Sequence, residues 1–277
     1  MLALAFLLAA ATLGAGCGSG PDARSLFDDA LAGGRPADSG RLLLSLDAVD
    51  AQALGLPPRL LVSLRGPFRA AGEAPGGYDM ALLVATQEGR LRLRVIRFGG
   101  RSWLVVGENA YDLPSGTLRK LGGGSAGALS ASSFGLDPAA WLSSPRADGE
   151  TEVDGEKVVR IRATPEVPAV LSEIDRLLGR AGATGAGEVA ELPRVDRAAA
   201  SVTGADAVLL VGEGDRRLRR LQVDLRLKGG GRLRFAYGIG QPGRQQFIGP
   251  PAGPRPFSEL TTALQVLAQR RAQGTGR

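Results

Sequence analysis

The 277-residue sequence predicts an α+β fold in which a long, curved antiparallel sheet carries helices inserted between its strands. Many segments alternate apolar and polar side chains with a period of two, which is typical of strands with one dry face and one wet face. A few segments instead repeat apolar residues at helical spacing, and these helices are available to cover the dry face. The chain is 44% apolar, has no internal repeat, and can bury one sizeable core.

The N-terminal residues predict an export signal. An uncharged apolar run, 2–13, is followed by the small residues 14–16 and by Cys17, the only cysteine in the chain. The run has the length of a signal-peptide core and is too short to cross a bilayer. This pattern resembles a bacterial lipoprotein signal, and it predicts a signal peptide at 1–16 and a lipidated Cys17, with palmitate among the expected acyl groups, on a tether at 17–21. The protein would then be extracytoplasmic and anchored to the cell membrane by lipid; an ordinary secretory signal that contains a cysteine is the alternative.

The first helix is predicted at 22–32, where Leu26, Phe27 and Ala30 follow helical spacing and Asp22 is placed to cap the N-terminus. The alternating segments after it predict about eight to ten antiparallel strands. These segments are 41–49, 59–68, 78–86, 90–98, 102–106, 150–153, 157–163, 205–211, 218–227 and 232–239.

Two dipeptides predict tight hairpin turns, Gly99-Gly100 and Asp154-Gly155, because both residue types accept the positive φ angles of such turns. Residues 122–127 form a glycine-rich stretch without the lysine and hydroxyl pattern of a phosphate-binding loop, so they predict a flexible connection.

Three further helices are predicted. Asp137 would cap a short one that starts at Pro138. The clearest spans 166–178, where one apolar stripe ends at Gly179, and a linker at 180–194 follows it. A Pro-rich break at 250–256 precedes a final amphipathic helix at 257–271, so that 22–249 is the predicted main domain and 250–277 a C-terminal extension.

The composition argues against catalysis. The chain has no histidine, the commonest general base and metal ligand, and the single thiol is assigned to lipidation. The acidic residues are spread through turns and wet faces, so we expect no enzyme, no cofactor and no metal. The net charge of +6 fits an anionic membrane or lipid headgroup, or simply a soluble surface. Nucleic acid is not an expected partner, because only 5% of residues are aromatic.

The order of these elements resembles the LolA-like lipoprotein carriers, with the strongest likeness to the actinobacterial LppX/LprG group. The likeness covers roughly 22–239 and is carried by Phe98-Gly99-Gly100, Trp103, Tyr111, Asp137-Pro138, Leu142, Glu152-Val153-Asp154-Gly155 and Val159-Arg160-Ile161. It implies a half-barrel sheet with helices packed on its concave face and an apolar cavity that holds acyl chains. Family members bind or shuttle lipids and lipoproteins across the cell envelope, and the family has no catalytic residues.

The sequence therefore favours a lipoprotein that binds or shuttles an acylated lipid or glycolipid, with an envelope transport protein as a possible further partner. The predicted cavity lining comes from the dry face of the strands and from the helix at 166–178. It consists of Leu44, Leu46, Val62, Leu64, Met80, Leu82, Val84, Leu93, Val95, Val167, Val170, Leu171, Ile174, Val223, Leu225, Phe235 and Tyr237. Strands that line a cavity and strands that form a closed core show the same alternation, so the sequence leaves both arrangements open. An envelope sensor or protein-binding lipoprotein of the same fold is the second function, and an enzyme the third.

Overall fold

The computed structural model describes residues 22–31, 36–115, 128–183, 198–260 and 262, without the side chains of 180–183. Eleven strands form one sheet in the order β6-β5-β4-β3-β2-β1-β11-β10-β9-β8-β7, and every neighbouring pair is antiparallel. The strands are β1 Ser39–Val49, β2 Arg59–Arg69, β3 Gly77–Thr86, β4 Arg90–Phe98, β5 Arg101–Val106, β6 Asn109–Asp112, β7 Leu142–Val153, β8 Glu156–Pro165, β9 Val202–Gly212, β10 Leu218–Leu227 and β11 Arg232–Gly240. The predicted α+β class and the open, curved antiparallel sheet are confirmed.

The sheet consists of two meanders that meet in the middle. Strands β1–β6 follow one another across one wing, and β7–β11 follow one another across the other. Only the β1–β11 pair joins strands that are distant in sequence, with Leu44 opposite Tyr237 and Leu46 opposite Phe235. The last strand of the second wing therefore lies beside the first strand of the first wing, and one inner face runs across both.

Helices α1 at Ala23–Leu31 and α2 at Val167–Ala183 lie on that inner face. The carboxylate of Asp22 accepts hydrogen bonds from the backbone N–H groups of Arg24 and Ser25, at 3.2 and 3.3 Å, so the predicted cap is confirmed. Helix α2 continues to Ala183, so the prediction that it ends at Gly179 is wrong. A glycine inside a helix costs only about 1 kcal/mol, which the packing of the helix can offset.

The packing of α2 confirms its predicted position. Val170, Leu171 and Ile174 are 0%, 0% and 2% exposed and belong to the main hydrophobic cluster, together with inner-face residues of β1, β10 and β11. This stripe of the helix is therefore buried against the sheet.

The two predicted hairpin turns are also confirmed. Gly99 and Gly100 have φ angles of 56° and 84°, and Asp154 and Gly155 have 53° and 80°. The short helix, Pro138–Ala140, is a 3-10 turn, and the side chain of Asp137 makes no capping hydrogen bond, in contrast to the prediction.

Two edge strands differ from the sequence prediction. Strand β6 was not predicted, and β7 begins at Leu142 rather than at 150. Most of β7 is exposed, with register shifts between Ser143 and Arg146 and between Ala147 and Glu150, so it shows no alternation. It forms because β8 offers an unpaired row of backbone groups, which any adjacent extended segment can satisfy.

Several predictions fall outside the described residues. They are the signal peptide at 1–16, Cys17 and its tether, the glycine-rich stretch 122–127, most of the linker at 180–194 and most of the helix at 257–271. The division into domains likewise stays a prediction.

Candidate functional site

The strand pairing decides which side chains share a face, because residues opposite each other in an antiparallel pair point the same way. Leu44 lies opposite Leu64, Leu64 opposite Leu82, and Leu82 opposite Leu93. By the same pairing, all thirteen strand residues of the predicted lining lie on the inner face. The sequence thus predicted the face correctly for every one of them.

Part of the predicted lining is a filled core. Val223, Leu225, Phe235 and Tyr237 are at most 2% exposed, and they share the main cluster with the stripe of α2. The predicted residues that lie buried in this cluster are Leu46, Met80, Val170, Leu171, Ile174, Val223, Leu225, Phe235 and Tyr237. At these positions the side chains contact each other.

The inner face of the first wing is packed less completely. The remaining predicted residues are only half-buried: Leu44, Val62, Leu64, Leu82, Val84, Leu93, Val95 and Val167. Leu44, Val62, Leu64, Val84 and Val167 border the main cluster. The same wing thus carries a continuous aliphatic face that the described helices cover only in part.

A second, smaller cluster lies at the outer end of this wing. It consists of Val106, Tyr111 and Leu260, with Leu93 and Leu104 at its border. Leu260 belongs to the first turn of the C-terminal helix, and the chain reaches it after Arg255 pairs with Tyr111 at the edge of β6. The start of that helix therefore covers the inner face of β5 and β6.

Between the two clusters, three half-buried residues belong to neither, namely Leu82, Leu91 and Val95. They lie on the inner face of β3 and β4, and we call them the β3–β4 gap. Leu82 and Val95 were predicted as lining, whereas Leu91 was assigned to the same strand face but left out of the lining.

A cavity of about 750 Å³ opens near the middle of the strand order, beside the C-terminal part of β11. Apolar side chains from α1, from the segment 128–139 and from β11 line it. Ser130, Ser132, Asp137 and Arg217 add polar groups. Of the predicted lining residues, only Tyr237 reaches this cavity. The residues from 128–139 were missed because Leu129 and Leu136 are isolated apolar residues in an irregular segment, and a lack of regular spacing gives no sequence signal.

Tyr237 connects the cavity with the strand row. Its ring lies 6.3 Å from that of Phe134, and in the sheet it lies opposite Leu44. The row Tyr237, Leu44, Leu64, Leu82 therefore runs across four adjacent strands from the cavity to the β3–β4 gap, a distance of roughly 14 Å.

The electrostatics of this row favour a neutral occupant. Burial raises the pKa of Tyr237 above its usual value, so its hydroxyl stays protonated. Burial also raises the pKa of Tyr78, which lies on the inner face near the start of β3. The positive charge of Arg97 and its hydrogen bond to Tyr78 lower that pKa but do not cancel the effect of burial. The cavity has one charged group of each sign: Arg217, which is half-buried and lies 4.0 Å from Asp215, and Asp137.

Within the described ranges, no group of three or more acidic, histidine or cysteine side chains is placed to hold a metal ion. Among the helices of the same ranges, none is both long and apolar enough to span a bilayer.

No family model and no curated protein matches the sequence. Among solved structures, the chain matches LprF from Mycobacterium bovis at 14% identity, over 84% of this chain and 98% of that one, with a TM-score of 0.49. The chain is similar in fold to LolA-like proteins. It also matches the lipoprotein LppX from Mycobacterium tuberculosis at 13% identity, over 76% of this chain and 90% of that one, with a TM-score of 0.36. A LolA superfamily protein from Nitrosomonas europaea matches at 11% identity, over 81% of this chain and 94% of that one, with a TM-score of 0.22. These are the groups that the order of sequence elements resembled, and at such identities the likeness is one of fold alone.

Proposed function

We propose that this protein binds an acylated lipid on the inner face of its sheet and carries it at the outer side of the cell membrane. The acyl chain would lie along the row from the cavity beside Tyr237 to the β3–β4 gap. In this proposal a lipidated Cys17 anchors the protein, and no catalytic step is involved.

The observation that carries the proposal is the uneven packing of one continuous aliphatic face. Across β10 and β11 this face is filled, whereas Leu44, Leu64 and Leu82 remain half-buried beside a cavity of about 750 Å³. That volume lies within the range of about 300–1,000 Å³ that is usual for ligand sites. Each methylene group that leaves water for such a surface contributes about 0.8 kcal/mol, so a long acyl chain binds well without specific polar contacts.

The polar groups of the cavity suit the other end of such a ligand. Ser130 and Ser132 supply hydroxyls, the guanidinium of Arg217 supplies a positive charge, and the carboxylate of Asp137 supplies a hydrogen-bond acceptor. A hydroxyl pair and an arginine match the ester, sugar or phosphate groups of a lipid or glycolipid. We therefore place the headgroup beside Ser130 and Arg217 and the acyl chain over the leucine row.

The test compares the lipid that each variant carries from cells. Leu82→Trp fills the β3–β4 gap, and Ala81→Trp adds the same ring to the outer face of the same strand as the matched control. Organic extracts of the purified proteins are analysed by mass spectrometry, and a thermal melt of each checks the fold. We expect wild type and Ala81→Trp to yield acylated lipid, and Leu82→Trp to yield much less at a similar melting temperature.

Two outcomes would count against the proposal. One is a wild-type protein that carries no lipid and takes up none after delipidation and mixing with membranes. The other is a Leu82→Trp variant that carries as much lipid as wild type, which would show that the chain lies elsewhere.

A sensor or protein-binding lipoprotein of the same fold is the second candidate, because two large apolar side chains after β11 are exposed. Phe247 is 89% exposed and Phe257 is 40% exposed. Exposed aromatic side chains of this kind are enriched in protein interfaces. Absence of bound lipid, together with a partner whose capture from the envelope depends on Phe247, would favour this function.

A further inference from the structure

The outer face of β2, β3 and β4 carries an excess of positive charge. Its charged side chains are six arginines and one aspartate, which gives a formal charge of +5: Arg59, Arg65, Arg69, Arg90, Arg92, Arg94 and Asp79. On the outer face of the other wing, acids are instead interspersed among the arginines, and some of them form ion pairs, as in Arg162–Asp148 and Arg226–Asp206.

Four of these arginines have no partner among the residues that the structure describes. Arg94 is held by both oxygens of Asp79 at 2.5 Å, and Arg69 donates to two backbone carbonyls. Arg59, Arg65, Arg90 and Arg92 are exposed, and their side chains make no hydrogen bond or ion pair with any described residue. Asp47 on β1 and Glu88 in the β3–β4 turn pair with none of the four.

An apolar strip separates the two rows of arginines. Strand β3 presents Ala81, Leu83 and Ala85 on this face. Ala81 lies opposite Arg65, Leu83 lies opposite Arg92, and Ala85 lies opposite Arg90. Because neighbouring strands are about 4.8 Å apart, the free arginines of β2 and β4 flank the strip at a separation of roughly 10 Å.

We propose that this face, the outer side of β2–β4, docks on the anionic headgroups of a membrane. Guanidinium groups bind lipid phosphates, each basic residue near an anionic surface adds to the attraction, and aliphatic residues between them enter the headgroup layer. A nucleic acid would be attracted by the same positive charge but would gain nothing from the apolar side chain of Leu83. The site lies on the opposite face from the lipid site proposed above, so it depends neither on that proposal nor on an anchor at Cys17.

The experiment measures sedimentation with vesicles of phosphatidylcholine, with and without phosphatidylglycerol. Every protein is the full chain with Cys17→Ser, so that no lipid anchor contributes. The test variant carries Arg90→Gln and Arg92→Gln. The matched control carries Arg160→Gln and Arg220→Gln, which remove the same charge from exposed arginines on the outer face of the other wing. Like Arg90 and Arg92, these two arginines form no ion pair within the described ranges.

We expect wild type to bind the anionic vesicles and to bind less as salt is added, because exposed charges are screened. The test variant should show a partition coefficient lower by about 30-fold, since each arginine near an anionic surface contributes about a factor of five or more. The control variant should stay within about twofold of wild type. Leu83→Ser should bind anionic vesicles more weakly than wild type while keeping the same salt dependence.

Equal losses in the two double variants would overturn the proposal, because they would show a response to net charge alone. Binding to an acidic polypeptide without binding to anionic vesicles would overturn it as well, in favour of an acidic protein partner. The substituted arginines are exposed and Leu83 is half-buried, and circular dichroism of each variant verifies that it is folded.

Discussion

Trp141 meets Phe235 edge to face, with ring centroids 5.7 Å apart and an interplanar angle of 66°. Trp141 follows the short helix before β7, and Phe235 lies on the inner face of β11. The carbonyl of Trp141 also accepts a hydrogen bond of 2.8 Å from the backbone N–H of Glu166, just before α2. Trp141, in the connection between the two wings, thus contacts both the centre of the sheet and the residue that precedes α2.

We therefore expect Trp141→Ala to lower the free energy of unfolding by about 3–5 kcal/mol, the usual loss for a buried tryptophan. Trp141→Phe should cost clearly less, because it keeps a ring against Phe235 and removes an indole N–H that is buried without a partner among the described residues. Denaturant unfolding of both variants measures the difference. Equal losses would show that the ring contact contributes little.

Ile174→Asp should strongly destabilise the protein. Ile174 is buried between α2 and the sheet, and a carboxylate there would have to be neutralised or left unpaired. Ser172→Asp places the same charge on the exposed side of the same helix and serves as the control. Thermal melts should show a large decrease for the first variant and little change for the second, and similar melts would mean that the helix does not depend on this face.

The buried tyrosines predict a loss of stability at alkaline pH. Burial raises the pKa of Tyr237 above its usual value of 10.0, so above about pH 10 the unfolded chain releases this proton while the folded chain keeps it. The contribution is fully present below pH 10 and is lost as the pH rises further. Denaturant unfolding at a series of alkaline pH values should show this decline.

Tyr237→Phe should make that alkaline decline shallower than in wild type. Tyr78→Phe should have a smaller effect, because Tyr78 is only half-buried and Arg97 opposes the rise in its pKa. An unchanged slope in Tyr237→Phe would contradict the assignment of the decline to this hydroxyl.

Leu260→Asp should loosen one end of the sheet without unfolding the rest. Leu260 is 4% exposed and packs in the small cluster with Val106 and Tyr111, apart from the main core. Hydrogen exchange should become faster in β5 and β6 and stay unchanged in α2, because local and global opening are separate. Phe257→Asp, at an exposed position in the same helical turn, is the control, and a uniform change in all strands would show that the two clusters unfold together.

Much of the fold follows from local patterns. The alternation in segments such as 218–227 predicts both the strand and the face, and β10 has the predicted bounds. Helix α2 follows from its apolar stripe, although its C-terminus does not, because Gly179 acts as a stop only when the chain leaves the helix there. Strand β7 could not be predicted from alternation, because it is an edge strand whose partner is the backbone of β8.

The sequence by itself determined the faces of the strands, because a period of two is a local property. Which part of the dry face is filled was decided only by the tertiary structure. Val223 and Leu82 occupy equivalent positions in equally alternating strands, yet α2 lies in the same core cluster as Val223, whereas Leu82 lies between two clusters. The cavity beside Tyr237 likewise exists only because an irregular segment, 128–139, packs next to α1 and β11, and such long-range packing has no periodic signal in the sequence.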